Sequence, residues 1–371
     1  MESGRLGAGR SSSAGGEIVP LTSIRGVAAL LVVVSHLAGE LVTHGWAPRP
    51  GPLVGHLIHG GANLAVDLFF VLSGYILAET YGLVADAATF LVHRAARILP
   101  LHWVVLTALV LGVALMERSG VNPRRADFFD WRTLPYQYAL ATVWVRANPW
   151  NGPTWSLNAE LVAYLLFPLL QQVARRAAPA ALLVLGLGCI AGHVALVESL
   201  GFRTNGYWAV ARGLLGFGGG VMLRLALGRR PTPRWAASAC VAALAVIAGV
   251  DAFPLAIIPS AALIVALGAP TKGAVHRFLS TRPLAWLGRI SFSIYLVHDP
   301  VLLAAVQVIG RVRWLHASPA MVSISVALYF AAVLAVSEAA WRWLEVPARR
   351  YLRRRWDAFS QRRLVAAAQA E

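Results

Sequence analysis

Five ionisable side chains lie inside long apolar runs of the sequence, where a charge is costly and usually belongs to a functional site. Two of them are histidines, and an imidazole beside a carboxylate can act as a general base at neutral pH. Intramembrane proton pathways use the same residue types. The five are His36, Asp67, Glu160, Arg212 and His298.

His36 ends an apolar run that begins after Arg25, eleven positions earlier. At about 100° per residue the two side chains share one helix face, roughly 16 Å apart along its axis. Asp67 opens "DLFFVLSGY" and is predicted at the depth of His36, where its carboxylate would orient the imidazole. Two simpler interpretations stay open, in which His36 only packs through one hydrogen bond and Asp67 only caps its helix.

Glu160 belongs to a polar stripe on an otherwise apolar helix, because Ser156, Glu160 and Tyr164 follow one another at intervals of four residues. A carboxylate at this depth requires a partner, and Arg212 is predicted at a similar depth. A buried ion pair between Glu160 and Arg212 that only fixes helix packing is the alternative to a role in chemistry.

The fifth group lies in "SFSIYLVHDPVL", where His298 precedes Pro300, a residue that we expect to kink the helix. The five ionisable groups are all predicted at one depth. Five separate packing accidents at one level are a poor explanation. The sequence therefore predicts one water-accessible chamber for a reaction or for transport.

Arg94 and Arg97 precede the third apolar run and, three residues apart, share one helix face. Guanidinium groups bind phosphate through paired hydrogen bonds, which indicates an anion site. The preference for basic residues on the cytoplasmic side of a membrane explains these arginines equally well.

The composition predicts the elements that position these residues. The chain has 371 residues, 58% of them hydrophobic and 13% charged, with mean hydropathy +0.63. This indicates an all-α, polytopic bundle of about ten transmembrane helices in a lipid bilayer. The segment 134–147 is too short to cross and is predicted to be interfacial or re-entrant. The ten spans are predicted at roughly 24–38, 64–78, 99–116, 155–171, 180–197, 207–227, 235–250, 253–268, 284–309 and 319–341.

The net charge of +16 is distributed between the apolar runs, which is typical of membrane topology and excludes nucleic acid as the expected partner. The charge distribution favours cytoplasmic termini. We predict a disordered tail at 1–20, a transmembrane domain at 21–350 and a basic cytoplasmic tail at 351–371. Cys189 and Cys240 lie in separate predicted helices and indicate neither a disulfide framework nor a metal site.

Short motifs spread over 21–350 resemble those of the bacterial acyltransferase-3 family. The first is a basic residue followed by ten residues and a histidine, here Arg25 and His36. One departure is Asp299, where an aromatic residue is common in the family. The other motifs are "DLFFVLSG" (67–74), "RAARILP" (94–100), "WSLNAE" (155–160) followed by Tyr164 and Pro168, "GRISFSIYLVHDP" (288–300) and "EVPAR" (345–349).

The resemblance implies an O-acyltransferase of the bacterial inner membrane that uses acyl-CoA as co-substrate and holds no permanent cofactor. An acyl group, in the simplest case acetyl, would pass to a hydroxyl of a sugar or glycan acceptor. His36 is the expected general base, oriented by Asp67 or Glu160, although an acyl-histidine intermediate stays an alternative. Arg25, Arg94 and Arg97 are expected to bind the CoA phosphates, and Trp155, Ser156, Arg212, Tyr295 and His298 to bind the acceptor or stabilise the oxyanion.

Two rival functions come from other classes. A proton-coupled exporter of a sugar or small molecule also uses intramembrane histidine and carboxylate groups. Inverted repeats would favour it, and the two halves of the sequence show no convincing similarity. A non-catalytic scaffold in a glycan assembly complex predicts that the polar residues can be replaced by apolar ones with little functional loss.

Overall fold

A computed structural model describes residues 17–48, 50–81, 86–123 and 125–369. This part of the chain is mainly helical and contains no strand. Single turns of 3-10 helix and one π-helical turn join or extend the main elements. The α-helices are α1 (Val19–Thr43), α2 (Pro52–Tyr81), α3 (Ala87–Arg118), α4 (Leu134–Tyr138), α5 (Thr154–Ala174), α6 (Pro179–Leu200), α7 (Gly206–Leu227), α8 (Ala236–Gly249), α9 (Ile257–Gly268), α10 (Ala274–Leu279), α11 (Arg282–Arg289), α12 (Ser291–Arg311), α13 (Pro319–Ala340) and α14 (Val346–Ala368).

The polytopic helical bundle is confirmed. Among the described residues, eight helical segments are long and apolar enough to cross a bilayer. They are α1, the part of α2 from Gly60, α3, α5, α6, α7, α12, and a segment that runs from the start of α13 to Arg362. The predicted spans at 235–250 and 253–268 correspond to α8 and α9, which have only 14 and 12 residues. At about 1.5 Å per residue these two helices are shorter than the hydrocarbon layer is thick.

The predicted span at 284–309 is confirmed in its second part by Ser291–Arg311, but its predicted beginning is wrong, because the helix is interrupted at Ile290 between α11 and α12. α11 crosses α1 with backbone against backbone. A Cβ added at Gly288 would lie 2.2 Å from the carbonyl oxygen of Thr22, and one added at Gly26 would lie 2.6 Å from the Gly288 nitrogen. The break allows α11 to follow this contact while α12 takes its own direction. Pro300 lies inside α12.

The segment 134–147 does not cross the bundle as one helix. It consists of α4 and a single 3-10 turn at Thr142–Trp144. Leu140 has φ 52° and Arg146 has φ 54°, a left-handed conformation that interrupts a right-handed helix. The prediction of one interfacial or re-entrant helix is therefore wrong, and this piece is not among the segments long enough to span.

Small residues bring α2 and α7 into backbone contact. A Cβ added at Gly74 would lie 2.0 Å from the carbonyl oxygen of Phe217, and one at Gly220 would lie 2.0 Å from that of Val71. Gly74 and Gly220 thus permit the close approach of the two helices. The contact fixes the face that α2 turns towards α7.

At the carboxyl-terminal end, α13 continues through a π-helical turn at Trp341–Glu345 into α14, so the predicted basic tail is helical to Ala368. At the other end, α1 begins at Val19, inside the tail predicted at 1–20. Residues 1–16 lie outside the described residues.

Candidate functional site

Two histidines from α1 and α12 contact each other. His36 Nδ1 lies 3.0 Å from His298 Nε2, and the two rings stack with centroids 5.1 Å apart. His298 is fully buried, and its Nδ1 lies 3.1 Å from the carbonyl oxygen of Ile294. A carbonyl only accepts, so His298 Nδ1 donates to it and the neutral His298 accepts at Nε2. His36 then donates from Nδ1 and keeps the lone pair of its Nε2 free.

Asp67 does not contact His36. Its Oδ1 accepts a hydrogen bond from Arg212 Nε at 2.8 Å and lies 3.1 Å from His193 Nε2. Arg212 is almost completely buried and also donates to Asn63 Oδ1 at 3.2 Å. The prediction that Asp67 orients His36 is wrong, and so is the alternative pairing of Glu160 with Arg212.

The direction of α2 explains this difference. Asp67 and Phe69 are two residues apart, so their side chains point about 200° apart around the helix. The contact between α2 and α7 turns Asp67 towards Arg212, while the Phe69 ring packs edge-on against the Tyr295 ring at 5.6 Å. Trp155 also belongs to the Asp67 side, because the Arg212 guanidinium lies 5.3 Å from its ring centroid.

Glu160 forms a third, separate group. Its Oε1 accepts hydrogen bonds from Ser73 Oγ at 3.1 Å and from the hydroxyl of Tyr164. The other residue of the predicted stripe, Ser156, contacts Tyr295 instead. The five ionisable residues therefore occupy three neighbourhoods, and the predicted single chamber that contains all of them is wrong.

A cavity of about 130 Å³ lies between these elements. At one end it is lined by Arg25, Arg94 and Arg97, and at the other by Ser156 and Tyr295. The structure thus brings six of the predicted site residues to one cavity. Its full lining is Arg25, Val66, Phe69, Phe70, Leu72, Ser73, Ile76, Leu77, Arg94, Arg97, Ile98, Ser156, Leu157, Glu160, Tyr164, Ser291, Phe292 and Tyr295.

The hydroxyl end of the cavity adjoins the histidine pair. Ser156 Oγ and the Tyr295 hydroxyl lie 2.8 Å apart, and each lies 3.1 Å from the carbonyl oxygen of Pro153. The Tyr295 ring centroid lies 6.2 Å from that of His298. Tyr295 is therefore the side chain that the cavity and the histidine pair share.

The arginine end combines guanidinium groups with aromatic rings. Arg94 donates to the Tyr81 hydroxyl at 2.7 Å, and its guanidinium carbon lies 5.1 Å from the Tyr81 ring centroid and 5.8 Å from that of Phe90. Arg25 donates to the carbonyl oxygen of Gly288 at 3.3 Å. The Nε atoms of Arg25 and Arg94 are buried and have no hydrogen-bond partner. Each of these two donors therefore lacks a partner among the described residues.

Sequence reasoning missed an ion-pair cluster beside the histidines. Arg125, in the segment between α3 and α4, contacts Asp299 Oδ1 at 2.9 Å and Glu40 Oε1 at 2.6 Å. Asp299 also accepts a hydrogen bond from the Gly152 backbone at 2.9 Å. Burial lowers the pKa of Arg125, but the two carboxylates outweigh burial and raise it above its ordinary value. Two signals were present in the sequence, Asp299 at an aromatic position and Glu40 one turn after His36.

His193 was also missed, because the run around it looked like a plain span. Its contact with Asp67 makes the buried network larger than predicted. Within the part of the chain that the structure describes, no group of three or more His, Cys, Asp or Glu side chains could hold a metal ion.

Comparison with known proteins gives a consistent family match. Residues 21–342 match the family model described as an acyltransferase domain. The chain is 29% identical to acyltransferase MdmB of Streptomyces mycarofaciens over 321 residues, which cover 78% of this chain and 80% of MdmB. It is 25% identical to nodulation protein 10 of Rhizobium leguminosarum bv. viciae over 328 residues, 78% of this chain and 84% of the relative.

A third relative is YrhL of Bacillus subtilis (strain 168), which carries a provisional name as a peptidoglycan O-acetyltransferase. The two chains are 28% identical over 341 residues, which cover 80% of this chain but 50% of YrhL. No solved structure matches the chain significantly.

Proposed function

The chain belongs to the acyltransferase domain family, and we propose that it moves an acyl group from acyl-CoA to a hydroxyl of a sugar or glycan acceptor. One observation carries the proposal: a single cavity joins three arginines to the Ser156–Tyr295 pair, which adjoins two hydrogen-bonded histidines. Acetyl is the simplest acyl group. The protein would lie in the bacterial inner membrane with both termini in the cytoplasm.

The arginine end would receive the donor. Guanidinium groups bind phosphate through two parallel hydrogen bonds, and the free Nε atoms of Arg25 and Arg94 suit that purpose. The pantetheine arm would then pass along the cavity and present the thioester near Tyr295. Arg25 and His36 are roughly 16 Å apart along α1, which is compatible with such an arm.

His36 would act as the general base. Its free Nε2 takes the proton from the acceptor hydroxyl as that oxygen attacks the thioester carbonyl carbon. The imidazolium that forms keeps its Nδ1 hydrogen bond to His298, which stabilises the new charge. When the tetrahedral intermediate collapses, the carbon–sulfur bond breaks and His36 returns the proton to the thiolate of CoA. The protein ends the cycle unchanged.

Ser156 and Tyr295 are placed to stabilise the oxyanion, with one condition. Their hydroxyl groups face each other and the Pro153 carbonyl oxygen, so both of their protons are already engaged in hydrogen bonds. One hydroxyl must release its present acceptor to donate to an oxyanion. Thioester binding at the end of the cavity would supply that new acceptor.

The acceptor would approach from the side of the Arg125 cluster, away from the arginines that bind the donor. The name of YrhL supports a glycan as the acceptor class. A cell-surface glycan, a lipid-linked saccharide, and the sugar or macrolide ring of a secondary metabolite all present a suitable hydroxyl. Asp299 and Glu40 offer carboxylates close to that approach.

Thioester turnover tests the proposal. Purified protein in vesicles would be mixed with acetyl-CoA, and free CoA thiol would be followed for the wild type beside His36→Ala. Thiol release that requires His36 and rises with a hydroxylated acceptor supports acyl transfer. If folded wild-type protein neither binds nor cleaves any acyl-CoA, the proposal fails, and a proton pathway through the histidines of a transporter becomes the better explanation.

A further inference from the structure

α14 lies along the first half of α3 in the opposite direction. Trp356 Nε1 donates to Thr89 Oγ1 at 2.7 Å, and His93 Nε2 lies 3.0 Å from Asp357 Oδ1. These two contacts place the first turns of α3 beside the middle of α14. The π-helical turn Trp341–Glu345, which precedes α14, also contacts α3, and Arg97, one turn after His93, acts electrostatically on Arg349. Later turns of α3 therefore lie beside earlier turns of α14. This arrangement places the turns of α14 before Trp356 beside the arginine end of the cavity.

The arginines of α14 fall on two faces. Arg349 and Arg353 are one turn apart and half-buried, whereas Arg350 and Arg354 have the same spacing and are exposed. Arg97, which is close to Arg25, repels both Arg349 and Arg353 electrostatically. Arg349 and Arg353 therefore face Arg94 and Arg97 of α3, and the exposed pair faces away.

The resulting cluster carries more positive than negative charge. Arg94, Arg97, Arg349 and Arg353 act on one another electrostatically. Glu345 lies 3.7 Å from Arg349 and also accepts a hydrogen bond from Ser293. Asp357 is engaged by His93. Like charges at this density are unfavourable unless an anion offsets them.

Hydrogen-bond donors without a partner also indicate an anionic ligand. The Nε atoms of Arg94 and Arg353 are buried and have no hydrogen-bond partner. A buried guanidinium nitrogen without a partner costs free energy that an anionic ligand would recover. The two atoms come from different helices, so a ligand that satisfies both must lie between α3 and α14.

The cavity itself is too small for a nucleotide. Its volume of about 130 Å³ is well below the roughly 300–1,000 Å³ of pockets that enclose drug-sized ligands. A slender arm fits such a cavity, and a bulky, multiply charged head must stay outside its arginine end. α14 packs against α3 at that place.

We propose that α14 supplies the second half of the phosphate site, with Arg349 and Arg353 opposing Arg94 and Arg97 around the nucleotide phosphates of acyl-CoA. This inference rests on the proposed function. It assigns donor recognition to a helix outside the apolar bundle. It also predicts that recognition of the nucleotide and passage of the acyl arm are separable.

The test compares two double variants with matched charge loss and spacing: Arg349→Ala with Arg353→Ala, and Arg350→Ala with Arg354→Ala. Each is assayed with acetyl-CoA and with acetyl-pantetheine, which lacks the nucleotide. We expect the first pair to raise KM for acetyl-CoA by about tenfold or more, with kcat little changed. Its kcat/KM for acetyl-pantetheine and both constants of the second pair should equal those of the wild type.

Each other outcome overturns the inference in an identifiable way. Equal losses with both donors would show a structural role for the pair, and an unchanged KM would show no role. Equal effects of the two pairs would show a general surface-charge effect. If the alanine pair fails to fold, Arg349→Lys with Arg353→Lys must fold and still raise KM for acetyl-CoA alone. A wild type that cleaves neither donor refutes the proposed function, and this inference with it.

Discussion

His36 and His298 share one hydrogen bond of 3.0 Å, and a backbone carbonyl determines its direction. Because His298 Nδ1 donates its proton to the Ile294 carbonyl oxygen, the neutral His298 can only accept a hydrogen bond from His36 at its Nε2. The second histidine thus sets the tautomer of the first. A carboxylate usually has that role for a catalytic histidine.

Replacement of either histidine should reduce turnover to different extents. We expect His36→Ala to lower kcat by about a hundredfold or more, the usual contribution of a general base. His298→Ala should lower kcat less and leave KM for acetyl-CoA unchanged, because it removes only the orientation of His36. Steady-state thiol release measures both constants.

His102→Ala is the matched control for these variants. His102 is another buried histidine whose Nε2 contacts a backbone carbonyl, that of Gln137 at 2.9 Å, and it does not line the cavity. It should lower the melting temperature without the selective loss of kcat. A His298→Ala protein that turns over at the wild-type rate would contradict the tautomer argument.

The buried pair of Asp67 and Arg212 should govern stability. Removal of one partner leaves an uncompensated buried charge and should cost about 3–5 kcal/mol in the free energy of unfolding. Asp67→Leu combined with Arg212→Leu should be less destabilised than either single variant. Thermal unfolding in detergent checks this order. The more exposed pair of Glu79 and Arg224 is the comparison, and its loss should cost less.

The backbone contact between α2 and α7 should not accept a methyl group. Gly74→Ala or Gly220→Ala would place a Cβ 2.0 Å from a carbonyl oxygen, and we expect a loss of about 3 kcal/mol or more. Gly112→Ala and Gly188→Ala are suitable controls, since a Cβ at either position meets nothing within 4 Å. The yield of folded protein on size exclusion distinguishes the two classes. Equal yields would contradict the close approach.

Arg125 should affect the acceptor and not the donor. Arg125→Ala breaks the contacts to Glu40 and Asp299, which lie beside the histidine pair and away from the arginine end of the cavity. We expect KM for the acceptor to change severalfold while KM for acetyl-CoA stays constant. The raised pKa of Arg125 means that the residue stays charged as pH rises, so its effect should not titrate in the alkaline range.

The exposed Arg132→Ala in the same connecting segment is the control for Arg125. It removes an equal charge without a contact to either carboxylate. A rise in KM for acetyl-CoA in Arg125→Ala would contradict the separation of donor and acceptor sides.

The sequence was sufficient to identify most of the long helices and six of the residues that line the cavity. Apolar runs of about 20 residues have one stable form in a bilayer, and ionisable residues within them are rare enough to be noticed. The pairing of those residues was not predictable, because it depends on how each helix is rotated. The rotation of α2 follows from Gly74 and Gly220, which are ordinary small residues when read singly. For this reason the sequence predicted the wrong partner for Asp67.

Two other differences between the sequence-based prediction and the structure have a similar origin. The break at Ile290 follows from the contact of α11 with α1, which joins residues more than 250 positions apart. Arg125 was overlooked because it stands outside the apolar runs, where an arginine is unremarkable until Asp299 and Glu40 are seen beside it. Both depend on long-range packing that no local pattern encodes.

The ring packing at the hydroxyl end of the cavity bears on the membrane as an electrical insulator. Phe69 and Tyr295 pack edge to face where the cavity meets the histidine pair, and the Tyr295 hydroxyl is held by Pro153 and Ser156. This ring contact narrows the passage between the cavity and the histidine pair. In a membrane that holds a proton gradient, a narrow passage lined by aromatic rings limits the water along which protons could leak.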